Sequence, residues 1–464
     1  MSGSTSIHRS VPPAVHRAVP VAVLVAAAVV AVRPARATDD AAQRVASGPR
    51  VVDVVTPEDV LLRVRLATKG DRLHPKPLAG ARGWSVPLAG GKQGTAAWPT
   101  PATDGERVYT GGPVQSLEMY AFDALTGKRR WTTTLADNGP TPPVVREGHV
   151  YANTQSCTLY ALDAASGRKR WSVYLSGHLE SGPAVGSDLI AATRPDVGGE
   201  GQPTLTVLDR AGHVLHDVAI DAEAWGAPVL ADGRAYVASR GGTLWCVDAA
   251  EGRTAWKRRC GARGAPWVDA QGVYVATETA LLAFDPVSGR ERWTEAAITP
   301  STHARELVTS DTFTPRPAPA LRPGLASSSA NSSFCSEGVR PVVVRDTVCV
   351  AEQRSLRFFD RVSAEELVEL RLDVKEAIAG PPLVAGDTVV VATRAGEVRA
   401  IDVRDDVVVW AVDLGAPLGS GITMDRGRLL AVTNDGRLVS VETGDLRADG
   451  WPMWGGTADG AFDD

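Results

Sequence analysis

The sequence predicts an all-β fold, an eight-bladed β-propeller whose blades are four-stranded antiparallel sheets. The first observation is a phrase that recurs about every 40 residues, a period typical of propellers built from short strands. Its best copy, Leu159-Tyr-Ala-Leu-Asp163-Ala-Ala-Ser-Gly167-Arg-Lys-Arg-Trp171, reads as strand, tight turn and strand. Near copies occupy residues 119–131, 244–256 and 281–293, and weaker copies begin at Leu205, Leu356, Val398 and Leu438.

Each copy of this phrase places an acidic residue at the start of its turn. An Asp side chain can cap a tight turn, and the following Gly supplies the positive φ that such a turn needs. We therefore interpret these acids as turn formers rather than as general acids. They are Asp123, Asp163, Asp209, Asp248, Asp285, Asp360, Asp402 and Glu442.

A second phrase, Pro-x-Val-x-x-Gly-x-Val-Tyr-Val-Ala, runs at the same period and supplies the other two strands of each blade. Dipeptides such as Asp104-Gly105 and Asp232-Gly233 between its apolar runs are typical of hairpins. An eighth copy without the Pro ends at Leu430, so eight copies predict eight blades. The other seven copies begin at Pro101, Pro143, Pro183, Pro228, Pro266, Pro341 and Pro382.

The two ends of the repeat array predict how the ring closes. Trp84-Ser-Val-Pro-Leu88 resembles the last strand of a blade that has no earlier strands, whereas residues 438–442 lack an outer partner. Pairing these two segments would close the ring and leave no open edge at its joint. We expect the tail Trp451-Pro-Met-Trp454-Gly-Gly to pack against this seam.

The predicted domain organisation is one propeller over residues 80–455, with a poorly ordered or extended lead segment at 38–79 and an acidic tail at 456–464. The spacing of the turn acids nearly doubles between Asp285 and Asp360. An insertion at about 296–340, rich in Pro, Ser and Ala, accounts for this gap. Such a composition cannot bury a core, so we expect an extended loop. It is either a surface insertion without a role or a flap that contacts a partner.

The first 37 residues have the pattern of a secretory signal peptide. Basic residues precede a short apolar run at 21–32, and Ala35-Arg-Ala37 is a small-x-small cleavage signature. The alternative is a retained anchor, but a membrane-spanning helix needs about 20 apolar residues. We expect a secreted or cell-envelope protein, exported by the general secretory route and not integral to a membrane.

Composition excludes several classes of function. The net charge of −5 is small and its charges are interspersed, so neither nucleic acid nor an anionic membrane is an expected partner. Among five cysteines, Cys246 and Cys349 fit buried strand positions, and Cys335 with Cys349 is the best disulfide candidate. The His residues form no metal-spaced cluster, and we expect a monomer.

The phrase A-x-D-x-x-T/S-G-x-x-x-W, written here as Ala161-Leu-Asp163-Ala-Ala-Ser-Gly167-Arg-Lys-Arg-Trp171, resembles the tryptophan-docking repeat of pyrroloquinoline-quinone (PQQ) propellers. That family includes quinoprotein alcohol dehydrogenases and outer-membrane assembly propellers of bacteria. The resemblance covers about residues 80–455, and it implies that the repeat tryptophans stack between neighbouring blades rather than contact a cofactor. These are Trp131, Trp171, Trp256, Trp293 and Trp410.

The resemblance leaves two functions open. A quinoprotein dehydrogenase would need PQQ, a calcium ion held by Glu, Asn and Asp, and an Asp base, and no set of residues here can be assigned to those roles. The favoured hypothesis is a non-catalytic binding or scaffold propeller that uses no cofactor. The alternative is a PQQ-dependent dehydrogenase or a PQQ sensor. A polysaccharide-cleaving propeller lacks an assignable carboxylate pair.

Four arginines are the candidates for ligand contact. They follow the second strand of their blades, a position that lies around the mouth of the central channel in a propeller. Guanidinium groups suit carboxylate or phosphate ligands, so a protein partner or a small anionic ligand is expected there. The alternative is that they are ordinary polar loop residues. The four are Arg194, Arg240, Arg354 and Arg394.

Overall fold

The computed structural model describes residues 50–54, 61–64, 73, 75–77, 81–89, 98–295, 339–457 and 460, apart from gaps at 114, 178, 180, 197–201, 373 and 375. The predicted signal peptide and nearly all of the 296–340 insertion lie outside these residues. The described part is an eight-bladed β-propeller, and the predicted fold class is confirmed.

Three short strands precede the ring and one strand completes it. They are β1 (Arg50–Val54), β2 (Leu61–Arg63), β3 (Lys76–Pro77) and β4 (Gly83–Pro87).

Blades 1 to 4 follow in chain order, each a four-stranded antiparallel sheet. Blade 1 has β5 (Ala102–Thr103), β6 (Arg107–Gly111), β7 (Glu118–Asp123) and β8 (Arg129–Thr134). Blade 2 has β9 (Val144–Arg146), β10 (His149–Asn153), β11 (Thr158–Asp163) and β12 (Lys169–Tyr174). Blade 3 has β13 (Ala184–Val185), β14 (Leu189–Arg194), β15 (Thr204–Asp209) and β16 (Val214–Ala219). Blade 4 has β17 (Val229–Ala231), β18 (Arg234–Ala238), β19 (Thr243–Asp248) and β20 (Arg253–Arg259).

Blades 5 to 8 repeat this order. Blade 5 has β21 (Trp267–Asp269), β22 (Gly272–Ala276), β23 (Leu281–Phe284) and β24 (Glu291–Glu295). Blade 6 has β25 (Val342–Val344), β26 (Thr347–Glu352), β27 (Ser355–Asp360) and β28 (Glu366–Leu372). Blade 7 has β29 (Leu383–Ala385), β30 (Thr388–Ala392), β31 (Glu397–Asp402) and β32 (Val407–Asp413). Blade 8 has β33 (Leu418–Asp425), β34 (Arg428–Thr433), β35 (Arg437–Glu442) and, as its fourth strand, β4.

The ring closes as the two ends of the repeat array predict. β4 pairs antiparallel with β35, and Trp84 lies opposite Ser440. The first strand of the ring and the last blade thus share one sheet, which removes the edge that an open ring would expose.

Three blades carry a fifth strand that the repeat phrases do not contain. β1 adds parallel to β28 of blade 6, and β2 adds parallel to β32 of blade 7. β3 pairs antiparallel with β4 on blade 8. The chain before the ring therefore covers the outer edges of three consecutive blades.

The acidic turns have the geometry that caps a tight turn. In blade 2, Asp163 Oδ1 accepts hydrogen bonds from the backbone N–H and the hydroxyl of Ser166, at 2.9 and 2.7 Å. Asp285 and Asp360 bind Ser288 and Ser363 in the same way. Hydrogen bonds from Ser166 and the Arg170 guanidinium hold the pKa of Asp163 well below its usual range. These carboxylates stabilise turns, as acceptors of local donors.

Repeat tryptophans, with a histidine at one position, join six of the eight blades to the next blade within the described residues. Trp131 Nε1 donates to the carbonyl of Ala164 in the following turn at 2.9 Å, and its ring covers Gly167. A Cβ on Gly167 would lie 2.6 Å from that ring, so the position needs glycine for both its φ of +70° and its lack of a side chain. Equivalent bonds run from Trp84 to Ala124, Trp171 to Arg210, His216 to Ala250, Trp256 to Pro286 and Trp293 to Arg361.

The core is a series of apolar clusters between blades. The largest runs through blades 5 to 8 and includes Trp410, Val64 and Trp451. Cys246 and Cys349 are fully buried strand residues. The disulfide proposed between Cys335 and Cys349 is wrong: Cys349 is a free thiol packed inside blade 6, opposite Phe358, and Cys335 lies outside the described residues.

Candidate functional site: the central channel and its loop face

The ring has two different faces. The hairpins between first and second strands and the acidic turns lie on one face, which we call the turn face. The turns between second and third strands, and the connections between blades, lie on the other, which we call the loop face. All four candidate arginines belong to the loop face, because each ends or follows a second strand: β14, β18, β26 or β30.

The four arginines differ in their surroundings. Arg194 is half-buried, donates to the carbonyl of Leu175 at 3.0 Å and forms a 2.8 Å ion pair with Asp217. Arg240 is exposed, and its guanidinium carbon lies 4.5 Å from the centre of the Trp225 ring. Arg354 and Arg394 are exposed. Arg194 and Arg240 lie on the neighbouring blades 3 and 4, and Arg354 and Arg394 lie on the neighbouring blades 6 and 7. The charge of Arg194 is compensated by Asp217.

The C-terminal segment, residues 445–457 and 460, lies against the inner strands of the ring. It begins at the hairpins of blades 7 and 8, where the carbonyl of Asp449 accepts from Gly386 N at 3.1 Å and Asp449 Oδ1 accepts from Arg426 N at 3.1 Å. Burial and the neighbouring charge of Asp449 raise the pKa of Asp425. This anchor places the start of the segment on the turn face.

From this anchor the segment crosses the channel. The backbones of Trp451 and Met424 in β33 exchange hydrogen bonds of 2.8 and 3.1 Å. The Pro452 carbonyl accepts from Thr103 N in blade 1 at 2.8 Å, so the segment joins both blades that flank the seam. The Trp451 ring stacks on Trp267 of blade 5, with centroids 6.0 Å apart. One short segment thus contacts inner strands on opposite sides of the ring.

A small cavity lies beside the segment. This cavity of about 30 Å³ lies between Arg340, Pro382, Trp451 and Trp454, enough for about two water molecules. Arg340 is buried and donates to the carbonyl of Gly460 at 3.3 Å. Sites for drug-sized ligands and cofactors are typically about 300–1,000 Å³. This cavity is too small for a tricyclic quinone.

The sequence reasoning missed Arg340 as a channel residue, because it lies at the end of the predicted insertion. The nearest signal was its position just before Pro341, which opens the next blade. In the structure, Val339 N donates to the carbonyl of Arg263 at 3.2 Å, so residues 339 and 340 already belong to the ring.

A larger groove, about 450 Å³, lies on the turn face between blades 8 and 1. Arg107, Arg130 and Arg428 line it, and each pairs with an acid of its own blade: Asp104, Asp123 and Glu442 respectively. These exposed pairs leave little net charge to attract an ion. Across the described part of the chain, no group of three His, Cys, Asp or Glu side chains is placed to hold a metal ion.

The family model of the outer membrane protein assembly factor BamB matches residues 76–200, 201–314 and 394–449. The match spans more than half of the chain, and the chain belongs to this family of PQQ-like repeat propellers. The resemblance stated from the repeat phrase is confirmed. None of the curated proteins matches the chain in sequence.

Several solved structures share the fold. BamB from Moraxella catarrhalis is 17% identical, with a TM-score of 0.53 over 75% of this chain and 96% of that one. The computationally designed Ika8 protein is 13% identical, with a TM-score of 0.58 over 76% and 98%. Sqt1 from Saccharomyces cerevisiae is 9% identical, with a TM-score of 0.57 over 76% and 97%. At these identities the likeness concerns the fold.

Proposed function

We propose that this protein is an exported, non-catalytic scaffold of the cell envelope that binds a partner on its loop face. The observation that carries the proposal is the course of the C-terminal segment. Because Trp451 and Pro452 join blades 5, 8 and 1 from the turn-face side, a ligand would approach the channel from the loop face. The family name, an outer membrane assembly factor, supports a role in holding other proteins together.

The chemistry of the loop face favours an anionic partner surface. Arg240, Arg354 and Arg394 are exposed there, and a guanidinium can bind a carboxylate through two parallel hydrogen bonds. Arg194 has a different role in this proposal, because its ion pair with Asp217 holds the end of β14 to β16. Export depends on residues 1–37, and deleting them should retain the protein inside the cell.

The test compares two charge-reversed triple variants in co-purification from the envelope fraction of the producing organism. The first carries Arg240→Glu, Arg354→Glu and Arg394→Glu on the loop face. The matched control carries Lys128→Glu, Arg168→Glu and Arg290→Glu, which reverse three exposed charges on the turn face. We expect partners identified with the wild type to be lost from the first variant and kept by the control. Equal recovery by both variants, or loss with the control alone, would contradict the loop-face site.

A dye-linked assay tests the non-catalytic part of the proposal. The purified protein, supplied with PQQ and Ca²⁺, should not oxidise primary alcohols, aldoses or polyols. The water-sized cavity beside Trp451 and Trp454 motivates this expectation. Quinone-dependent dye reduction that rises with protein concentration would replace the scaffold proposal by the dehydrogenase alternative.

A further inference from the structure

The outer strands of the blades form the rim of the ring, and their backbone edges differ in how they are covered. β28, β32 and β4 are each paired on the outside by β1, β2 or β3. In the five other blades, β8, β12, β16, β20 and β24 are the last strands of their sheets within the described residues. An uncovered edge strand can pair with a strand of another chain.

Four of these five edges carry charged residues that discourage such pairing. β16 is the exception, since it begins with Val214 and Leu215, which are 46% and 43% exposed. Its one acidic residue, Asp217, is held by Arg194. The charged residues on the other four edges are Arg129 and Arg130 on β8, Lys169 and Arg170 on β12, Arg253, Lys257, Arg258 and Arg259 on β20, and Glu291, Arg292 and Glu295 on β24.

The same molecule shows an outer edge strand to which another strand has been added. β28 carries Leu367, which is 43% exposed, and it pairs with β1, whose sequence is Arg50-Val-Val-Asp-Val54. The two strands run parallel over the whole of β1, from Arg50 opposite Val368 to Val54 opposite Leu372. A short, Val-rich strand with one acid and one base thus occupies a rim edge in this fold, although β28 itself carries Glu366, Glu369 and Arg371.

Cationic side chains flank the far end of β16. Trp245 of blade 4 donates to Asp221, just beyond β16, at 3.1 Å, and Lys257 Nζ lies 4.6 Å from the centre of the Trp245 ring. Lys257 and Arg259 are exposed on β20, and within the described residues neither forms an ion pair. Through Trp245 and Asp221, Lys257 lies beside the end of β16, so a strand added parallel to β16 would end near this cation, which favours acidic residues at its carboxyl end.

We propose that the rim edge of blade 3, strand β16, is a docking site for an extended segment of a partner protein. The segment adds parallel to β16, alternates apolar and polar residues, and places an acid beside Lys257. Main-chain hydrogen bonds supply affinity and the flanking side chains supply selectivity, as in other cases of strand addition. This site is separate from the loop face, and either can fail without the other.

The probe is a short synthetic peptide of alternating Val and Thr that ends in Glu-Asp, together with a version that ends in Lys-Lys. Hydrogen exchange followed by mass spectrometry on the full mature chain should show slower exchange in residues 214–219 when the acidic peptide binds. Fluorescence anisotropy should give binding for the acidic peptide and about fivefold weaker binding for the basic one, as expected for exposed charge pairs.

Two variants and a control locate the site. The first variant is Leu215→Lys, made alone and together with Val214→Lys, which gives β16 charged residues like those on the other outer edges. This variant should abolish binding of the acidic peptide and the slower exchange of residues 214–219. Lys257→Glu should weaken the acidic peptide about fivefold. Val287→Lys alters an even more exposed apolar residue in a blade 5 turn, and this variant should bind the peptide as the wild type does. Thermal melts establish that each variant is folded.

Three results would overturn the proposal. They are failure of the folded wild type to bind the acidic peptide, slower exchange in a strand other than β16, and binding that survives in the folded Leu215→Lys protein. Whether the loop-face triple variant keeps or loses its envelope partners bears only on the loop-face proposal, so the two sites are tested separately.

Discussion

Blades 1 to 5 and blades 6 to 8 are held together in different ways. At six consecutive joints, from that between blades 8 and 1 to that between blades 5 and 6, the outer strand of one blade carries a Trp or His. Its ring N–H donates to a backbone carbonyl in the acidic turn of the following blade. At the next joint, Val368 occupies the Trp position of blade 6, opposite Phe358. At the joint of blades 7 and 8, Trp410 is buried, but its Nε1 has no hydrogen-bond partner in the described part of the chain.

The two joints that lack this side-chain hydrogen bond within the described residues follow the two blades that carry parallel fifth strands. β1 pairs with the strand that contains Val368, and β2 pairs with the strand that contains Trp410. After β2, Val64 is 1% exposed and packs into the apolar cluster that runs through blades 5 to 8. Covered edges and a continuous core thus take the place of indole docking where the repeat has diverged.

The largest expected effect is at the seam. Trp84→Ala removes a 3%-exposed side chain and its 2.9 Å bond to Ala124, and it should lower the free energy of unfolding by about 3–5 kcal/mol. His216→Ala, at the same repeat position between blades 3 and 4, should cost about 1 kcal/mol because the ring is smaller and partly exposed. Denaturant titration measures both. Equal losses would argue against the seam as the critical joint.

A smaller effect on stability is expected from substitutions in the acidic turns, and its sign should differ between blade 2 and blade 6. In blade 2, Gly167→Ala would place a methyl group 2.5 Å from Thr133 Oγ1 at a φ of +70°, and should cost about 2–3 kcal/mol. In blade 6 the same turn position is Ala364, already at φ 65°. Ala364→Gly should therefore stabilise the protein by about 1 kcal/mol. Thermal melts of the two variants should shift in opposite directions, and shifts in the same direction would refute the comparison.

The fold was largely predictable from sequence, because its signals are local. Asp163, Gly167 and Trp171 lie within one turn and two strands, so the same short-range contacts recur in every good copy. Ring closure was also predictable, since the unpaired strands at Trp84 and Leu438 complement each other. The fifth strands could not be predicted from sequence. β1 and β2 pair in parallel with strands more than 300 residues later, and such pairing has no hairpin turn that could be recognised in the sequence.

The candidate site was less predictable than the fold. The repeat phrase places Arg194 on the loop face, but only the fold shows that Asp217 compensates its charge. The C-terminal tail was expected to pack at the seam; in the structure Pro452 accepts a hydrogen bond from Thr103 in the inner strand of blade 1, and Trp451 stacks on Trp267, which is far away in sequence. Contacts that cross the channel depend on the closed ring and have no local signal.

Phenylalanine substitutions isolate the hydrogen bond of the docked indole. Trp131→Phe loses the 2.9 Å bond to Ala164, whereas Trp410→Phe removes a buried N–H that has no partner in the described residues. We expect Trp131→Phe to cost about 1 kcal/mol more than Trp410→Phe. Paired urea titrations would measure this difference, and a larger loss at Trp410 would show that its indole nitrogen is bonded in solution.

The smallest effect is a pH dependence of the turn acids. Since hydrogen bonds from Ser166 and Arg170 lower the pKa of Asp163 in the folded state, its contribution is present above the unfolded pKa, about 4, and is lost as the pH falls further. Asp163→Ala should cost less than about 1 kcal/mol at pH 7, because the pair is exposed. The difference from wild type should shrink below pH 4, as followed by urea titration at several pH values. A difference that grows in acid would contradict this role.

We infer that the segment before the ring replaces indole docking in blades 6 and 7. Hydrogen exchange measured on a protein that begins at residue 65, and so lacks β1 and β2, tests this inference. We expect amides in β25 to β32 to exchange faster than in the wild type, while those in β5 to β20 keep their protection. Unchanged exchange in blades 6 and 7, or a uniform increase around the whole ring, would contradict the inference.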